Sequence, residues 1–159
     1  MSEDFAQLRL VEERNRWRKD HPPDFVARPA KSFNGEPNLF QWDCLIPGKP
    51  GSLWQGGYYK LVLEFPANYP VMPPIAKFTP PIPHLNVFPS GRVCLSILTS
   101  GWKPSLNLRQ ILLGIQNLLD SPNPESPAHE IHYTNFMKNR ALYDHNIKEC
   151  AAANKSTQL

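Results

Sequence analysis

Cysteine offers the most chemistry in this sequence, and there are three, Cys44, Cys94 and Cys150. They lie far apart, are odd in number and form no CxxC pair. Neither a disulfide framework nor a dithiol redox motif is indicated, and isolated thiols of this kind suit a reducing compartment. Cys44 alternates with Phe40, Trp42 and Ile46 and reads as filler on the buried face of a strand. Cys150 falls near the fraying end of the last predicted helix and reads as incidental. Cys94 is different. It closes an irregular segment, Pro89-Ser-Gly-Arg-Val-Cys94-Leu-Ser-Ile-Leu98, with His84 and Asn86 just upstream. A thiol near an imidazole first suggests a Cys–His hydrolase, which needs a base within reach of the sulfur and a third group to orient that base. No hydrolase motif surrounds Cys94. His129 and His132 are one helical turn apart, but no thiolate or carboxylate set completes them, so no metal and no other cofactor is expected.

The segment that carries Cys94 is unusual. Of 18 prolines in the 159 residues, seven fall between Pro70 and Pro89. They interleave with Tyr69, Val71, Met72, Ile75, Phe78, Ile82, Leu85, Val87 and Phe88. A disordered proline-rich linker lacks large apolar residues. This mixture predicts a long loop pinned against a core, and long ordered loops are usually functional.

The surrounding elements follow from periodicity. Residues 3 to 20 suit a helix that stops at His21-Pro22-Pro23, with Ala6, Leu10 and Trp17 on one face. Phe25 to Arg28 reads as a short strand, and Asn34-Gly35 as a turn. Leu39 to Ile46 alternates as a half-buried strand. Tyr59, Leu61, Leu63 and Phe65 mark a third strand, and Ile75 to Phe78 a brief fourth. After Trp102 the chain turns helical. Asn107 and Gln110 have capping-box spacing, and Leu108, Ile111, Leu112, Ile115, Leu118 and Leu119 form a broad apolar face, so this helix is expected at the centre of the core. Ser126-Pro127 reads as the cap and first position of another helix, with Tyr133, Phe136 and Met137 on its apolar side. A last helix covers about Arg140 to Ala153. Strands grouped together and helices segregated after them predict an α+β fold, a single domain over residues 1–159.

Charge narrows the partners. A net charge of +3 is too small to argue for nucleic acid, and no apolar run approaches a membrane span. The opening Met1-Ser2-Glu3-Asp4 is acidic and lacks a signal-peptide pattern, so a cytosolic or nuclear protein is expected. Arg14-Asn-Arg-Trp-Arg-Lys19 places four positive charges in six positions. The plain reading is a solvated helix face with pairs such as Glu12–Arg16.

In order along the chain, Tyr69-Pro70, Pro73-Pro74, His84-Leu-Asn86, Cys94-Leu-Ser-Ile-Leu98, Trp102-Lys-Pro104 and the Leu-rich helix resemble the ubiquitin-conjugating enzymes over about residues 3 to 150. Trp17-Arg-Lys-Asp-His-Pro22, Trp42-Asp-Cys-Leu-Ile-Pro-Gly48 and Trp54-Gln-Gly-Gly57 resemble the SUMO-conjugating branch. The resemblance implies the ubiquitin-conjugating fold: an N-terminal helix, a four-stranded antiparallel sheet, a long active-site loop, then central and C-terminal helices. It implies that Cys94 carries a ubiquitin-like modifier as a thioester and passes it to a lysine. A carrier must resist water, so a sparse site without a strong base beside Cys94 fits, and rate must come from orientation and oxyanion stabilisation. By resemblance Asn86 donates to the oxyanion, against a plainer reading as a loop brace, and Ser126 holds the gate position near the incoming lysine. Ser90, Arg92, Pro127, Ala128 and His129 fall at acceptor-groove positions. Arg14, Arg18, Lys19 and His21 fall where the modifier and activating enzyme bind. Implied partners are SUMO or a related modifier, a heterodimeric activating enzyme, SUMO ligases and lysine-bearing substrates; implied too are a monomeric state and a place in nucleus and cytoplasm.

Several positions depart from the pattern. Leu85 replaces the proline of the family's His-Pro-Asn. Seven residues separate Cys94 from Trp102, a spacing that looks more like ubiquitin carriers, as does Asp120-Ser-Pro-Asn-Pro124. Ile75 and Arg92 stand where the SUMO branch has a lysine and a threonine, which makes Arg92 the candidate reader of an acidic residue in the acceptor. A ubiquitin carrier with the same chemistry, and a non-catalytic scaffold of the same fold, remain the alternative readings.

Overall fold

The computed structural model describes residues 2–159, with side chains from residue 4 onward. Met1 of the acidic opening lies outside the described residues.

Helix α1 (Ser2–Lys19) buries Ala6, Leu10 and Trp17, the face its periodicity predicts. Glu13 shares that face and is buried with them. Four strands follow, β1 (Val26–Lys31), β2 (Pro37–Pro47), β3 (Tyr58–Glu64) and β4 (Ile75–Phe78), paired antiparallel in the order β1-β2-β3-β4. The β1–β2 turn closes at Gly35, which has a φ of 84° that favours glycine. On β2, Trp42, Cys44 and Ile46 point into the core. The predicted alternation fails at the start of this strand, where Leu39 is buried and Phe40 only half-buried. The β1–β2 register shifts nearby, between Pro29 and Ala30.

The loop between β2 and β3 folds under Trp54, whose indole N–H donates to the Leu119 carbonyl (2.9 Å) while its own carbonyl accepts from the Tyr59 hydroxyl (2.7 Å). A Cβ on Gly48 would overlap the Trp54 carbonyl, so this crossing needs glycine. Helix α2 (Leu108–Asp120) carries the predicted capping box: the Asn107 side chain accepts from the Gln110 N–H and the Gln110 side chain accepts from the Asn107 N–H, both at 2.9 Å. Its six predicted apolar residues are all buried, and it packs with α1 against β2.

Helix α3 (Glu130–Lys138) starts later than Ser126-Pro127 predicts. The Ala128 and His129 N–H groups both donate to the Leu85 carbonyl (2.7 and 3.2 Å), which holds this stretch out of the helix. His129 is therefore the cap, and Ser126 belongs to a loop. Met137 of the expected apolar side is exposed. Helix α4 spans Arg140–Ala153. Cys150 is not at a frayed end. It packs half-buried against the core, and its sulfur accepts from the Asn154 side chain at 3.5 Å.

Candidate active site

The proline-rich loop is ordered by backbone pairing as well as by buried side chains. The Phe78 N–H donates to the Gly91 carbonyl, Val93 N–H to Ala76, and Gly91 N–H to Phe88, all within 2.8–2.9 Å. Residues 87–93 thus form a small turn laid against β4, with Ser90 at its tip. Gly91 is indispensable to it: its φ is +94°, and a Cβ would overlap the Phe78 carbonyl. The Cys94 N–H then donates to the Asn86 carbonyl (2.8 Å), so the thiol is tied to the start of the same loop. A single 3-10 turn, Ser96–Leu98, follows and rests on α2 at Gly114. A Cβ there would come within 2.8 Å of Ile97, so the glycine inside this Leu-rich helix permits the close approach.

Cys94 is half-buried at the meeting of two clefts. One, of about 570 Å³, is lined mainly by apolar groups, including Pro74, Ile75, Phe88 and Leu98, with Ser90 and Arg92 on its wall. The other, about 290 Å³, runs between the Cys94 turn and the end of α2. It is walled by Ser96, Thr99, Asn117, Ser121, Asn123 and Ser126, with no charged side chain among its lining residues.

Asn86 is fully buried behind Cys94 and all of its amide is in use. Nδ2 donates to the carbonyls of Asn123 (2.9 Å) and Ser126 (2.8 Å), and Oδ1 accepts from the Asn123 N–H (2.8 Å). In this arrangement the side chain staples the loop after α2 to the cysteine segment. His84 is equally occupied. Its Nδ1 accepts from the Asn86 N–H (2.9 Å), which fixes the tautomer, and Nε2–H donates to the Leu118 carbonyl (2.8 Å). Burial lowers its pKa to about 4, the strongest effect among its surroundings. A neutral imidazole with both nitrogens engaged is no base for Cys94, so the Cys–His hydrolase reading fails on geometry and on proton affinity together. Leu85, fully buried between them, fills the place of the family's proline.

The other two thiols are unsuited to chemistry. Cys44 is fully buried and its pKa is pushed far up by desolvation; burial also pushes Cys150 up, to about 11.

The sequence-derived groups divide in space. Ser90 and Arg92 share the first cleft with Cys94, and Ser126 borders the second. Pro127, Ala128 and His129 border neither cleft, the last two being drawn onto Leu85. The His129 and His132 ring centroids lie 4.0 Å apart with the rings tilted by 35°, and among the described residues they form no three-residue group able to hold a metal. Arg14, Arg18, Lys19 and His21 lie on α1 and just beyond it, away from both clefts. Among the described residues Arg14, Arg18 and Lys19 form no ion pair, whereas Arg16 pairs with Glu12 at 3.1 Å as its spacing predicts.

Sequence reasoning passed over Glu13. Its Oε2 accepts from the Tyr69 hydroxyl and from the Leu108 N–H, each at 3.2 Å, and Arg9 lies 3.7 Å away. It ties α1 to the first turn of α2 and to the Tyr69 loop. The signal was present: Glu13 falls three residues after Leu10 and four before Trp17, on the buried stripe.

Comparison with known proteins accords with this geometry. The sequence model of the ubiquitin-conjugating enzymes matches residues 9–151. This chain belongs to that family. It is 48% identical over 147 residues to a SUMO-conjugating enzyme of Caenorhabditis elegans, covering 91% of this chain and 89% of that protein. Similarity to the SUMO-conjugating enzyme of Dictyostelium discoideum is 49% over 146 residues, 91% and 92% of the two chains. To that of Arabidopsis thaliana it is 47% over 150 residues, 93% and 94%. As a ubiquitin-conjugating enzyme the chain has the expected α+β order, with the long loop set between sheet and central helix.

Proposed function

We propose that this protein is a SUMO-conjugating enzyme. In the first step the Cys94 sulfur attacks the thioester carbonyl between SUMO and the activating enzyme. A new S–C bond forms and the activating enzyme's thiol leaves. In the second step a substrate lysine amine attacks the Cys94 thioester; the isopeptide bond forms, the S–C bond breaks, the Cys94 thiol is restored and the amine loses a proton. The observation that carries this reading is the placement of Cys94, alone of the three cysteines, where two clefts meet and no base is at hand. The kinship with SUMO-conjugating enzymes over nine-tenths of the chain selects the modifier.

The clefts divide the work. The uncharged, hydroxyl- and amide-lined cleft suits an extended modifier tail, and the apolar cleft with Arg92 suits the acceptor segment. Arg92 is exposed beside Ile75, and its fork can pair with a carboxylate in two hydrogen bonds. Ser90 completes that wall, while Pro127, Ala128 and His129 act by fixing the floor of the gate. Asn86 positions the gate loop. Donation to the thioester oxyanion needs one Nδ2 proton to leave the Asn123 or Ser126 carbonyl, so the two roles alternate rather than coincide. Arg14, Arg18, Lys19 and His21 form a basic surface for acidic partners, the activating enzyme and a second modifier, where charge chiefly speeds encounter. SUMO ligases and lysine-bearing substrates are the remaining partners.

The test is side-by-side charging. Incubated with ATP and the SUMO activating enzyme, the protein forms a reductant-sensitive adduct with SUMO; with the ubiquitin activating enzyme and ubiquitin it forms none. Preferential loading by ubiquitin would sink the choice of modifier, and loading by neither would sink the carrier reading.

A further inference from the structure

The apolar cleft beside Cys94 does not end at its own rim. A larger trough, about 740 Å³, opens from it, and the two share Pro74, Ile75, Arg92, Leu98 and Thr99 as lining. Beyond that shared wall the trough is walled by Phe65, Pro66, Val71, Met72, Pro73 and Trp102. Val71 and Met72 leave 69% and 53% of their surface exposed, on a loop held from both sides. The Val71 N–H donates to the Asn68 carbonyl and the Trp102 indole N–H to the Pro70 carbonyl, both at 2.9 Å, and the buried Tyr69 and Phe65 rings meet edge to face. An apolar surface fixed in this way is preformed, so a ligand that covers it loses little to ordering.

Charge on this wall suits one acidic residue and no more. Arg92 is the single cation among the lining residues of cleft and trough, and it belongs to both. Glu64, which faces Ile75 across β3 and β4, lines the trough alone. Ile75 itself stands where the SUMO branch has a lysine. An acceptor lysine at the Cys94 thioester brings its neighbours with it, since an extended chain advances only about 3.3–3.6 Å per residue. With the modifier tail in the polar cleft, the acceptor has the apolar one. A carboxylate paired with Arg92 then leaves the following residues over Ile75 and Met72.

We propose that the trough continues the acceptor site, and that the preferred acceptors of this enzyme carry large apolar residues just beyond the acid, on the side away from the lysine. This inference rests on the carrier reading of Cys94 and on the acceptor's place in the apolar cleft. An apolar side chain there leaves water against Ile75, Met72 and Trp102, whereas a second acid meets Glu64 and no further cation. The contact is remote from the reacting atoms and is made equally in the bound substrate and in the transition state. It therefore lowers KM and leaves kcat alone.

The experiment loads the full chain with SUMO, removes ATP and follows discharge to peptides without a ligase. Each peptide carries a lysine and an acid two positions from it, built in both chain directions, with Leu-Phe, Ser-Ser or Asp-Asp placed beyond the acid. In the direction that fits, Leu-Phe should lower KM about tenfold relative to Ser-Ser, the effect of burying roughly one apolar side chain. Asp-Asp should do no better than Ser-Ser. Met72→Ser removes one wall of the trough at an exposed position and should shrink the Leu-Phe gain. Ile75→Lys should shift the preference from Leu-Phe toward Asp-Asp. Equal KM for Leu-Phe and Ser-Ser in both directions overturns the subsite, as does a gain that neither substitution reduces. A Met72→Ser protein that loses only ligase-stimulated discharge, or only self-association, gives the trough to a ligase or to a second copy and overturns it too. Fluorescence anisotropy of labelled peptides on the unloaded protein needs no thioester. A protein that never loads, yet binds the Leu-Phe peptide most tightly, overturns the carrier reading instead.

Discussion

Replacing Asn86 by alanine separates positioning from chemistry at this site. The wild-type amide makes three hydrogen bonds to the loop after α2, two from Nδ2 and one to Oδ1, all between 2.8 and 2.9 Å. Each is worth about 1 kcal/mol net, so alanine should cost about 3 kcal/mol. For a domain of this size that corresponds to a fall in melting temperature of roughly 6–12 °C. The Cys94 N–H bond is to the Asn86 backbone carbonyl and survives the substitution, so the thiol stays in place and still loads. Discharge to lysine should slow, because Asn123 and Ser126 are no longer held at the cleft. Removal of an oxyanion donor alone typically costs about 2.7–4 kcal/mol in the barrier with no demand on stability. The assay is therefore paired: urea unfolding together with amide hydrogen exchange over residues 121–128, and single-turnover discharge of the loaded protein. An Asn86→Ala protein with an unchanged urea midpoint and unchanged protection of that loop refutes the staple, whatever its discharge rate.

Cys94→Ser should form at most a slow, reductant-resistant ester with the modifier, while Cys150→Ser still loads; a charged band persisting in Cys94→Ala on a reducing-agent gel shift would show the wrong cysteine has been named. His84 stays neutral in the fold down to about pH 4, against 6.5 when unperturbed. Its contribution is thus complete above pH 6.5 and is lost as pH falls through that window, up to about 3 kcal/mol for 2.5 units. Urea unfolding at pH 7 and pH 4.5 should show a smaller pH loss for His84→Asn than for the wild type, and equal losses would contradict the linkage. Glu13→Gln keeps an acceptor for Tyr69 and Leu108 and sheds a desolvated charge whose pKa burial has raised, so thermal unfolding should change little. Glu13→Ala orphans both donors and should lose about 1–3 kcal/mol; similar melting of the two variants would count against the strut. Arg92→Ala should lose the preference for an acceptor peptide with an acidic residue over its Glu→Ala version in a competition assay, and a retained preference removes Arg92 as the reader.

Much of this protein was legible before folding because local rules and global architecture agree. The alternation through Trp42, Cys44 and Ile46, the capping box at Asn107 and Gln110, and the six apolar positions of α2 each have one economical solution, and the structure adopts it. Residue type and order alone also singled out Cys94 from Cys44. Tertiary contacts decided the rest. Ser126-Pro127 has the local chemistry of a helix start, but the Leu85 carbonyl, 41 positions upstream of Ser126, takes the Ala128 and His129 N–H groups and delays the helix to Glu130. Glu13 reads as surface charge until Tyr69 and the α2 N-terminus arrive to satisfy it. His84 looks like a base for Cys94 until Leu118 and the Asn86 backbone occupy both nitrogens. A sequence states which donors and acceptors exist, whereas the partner each one finds depends on groups tens of residues away, and burial makes that choice costly to change.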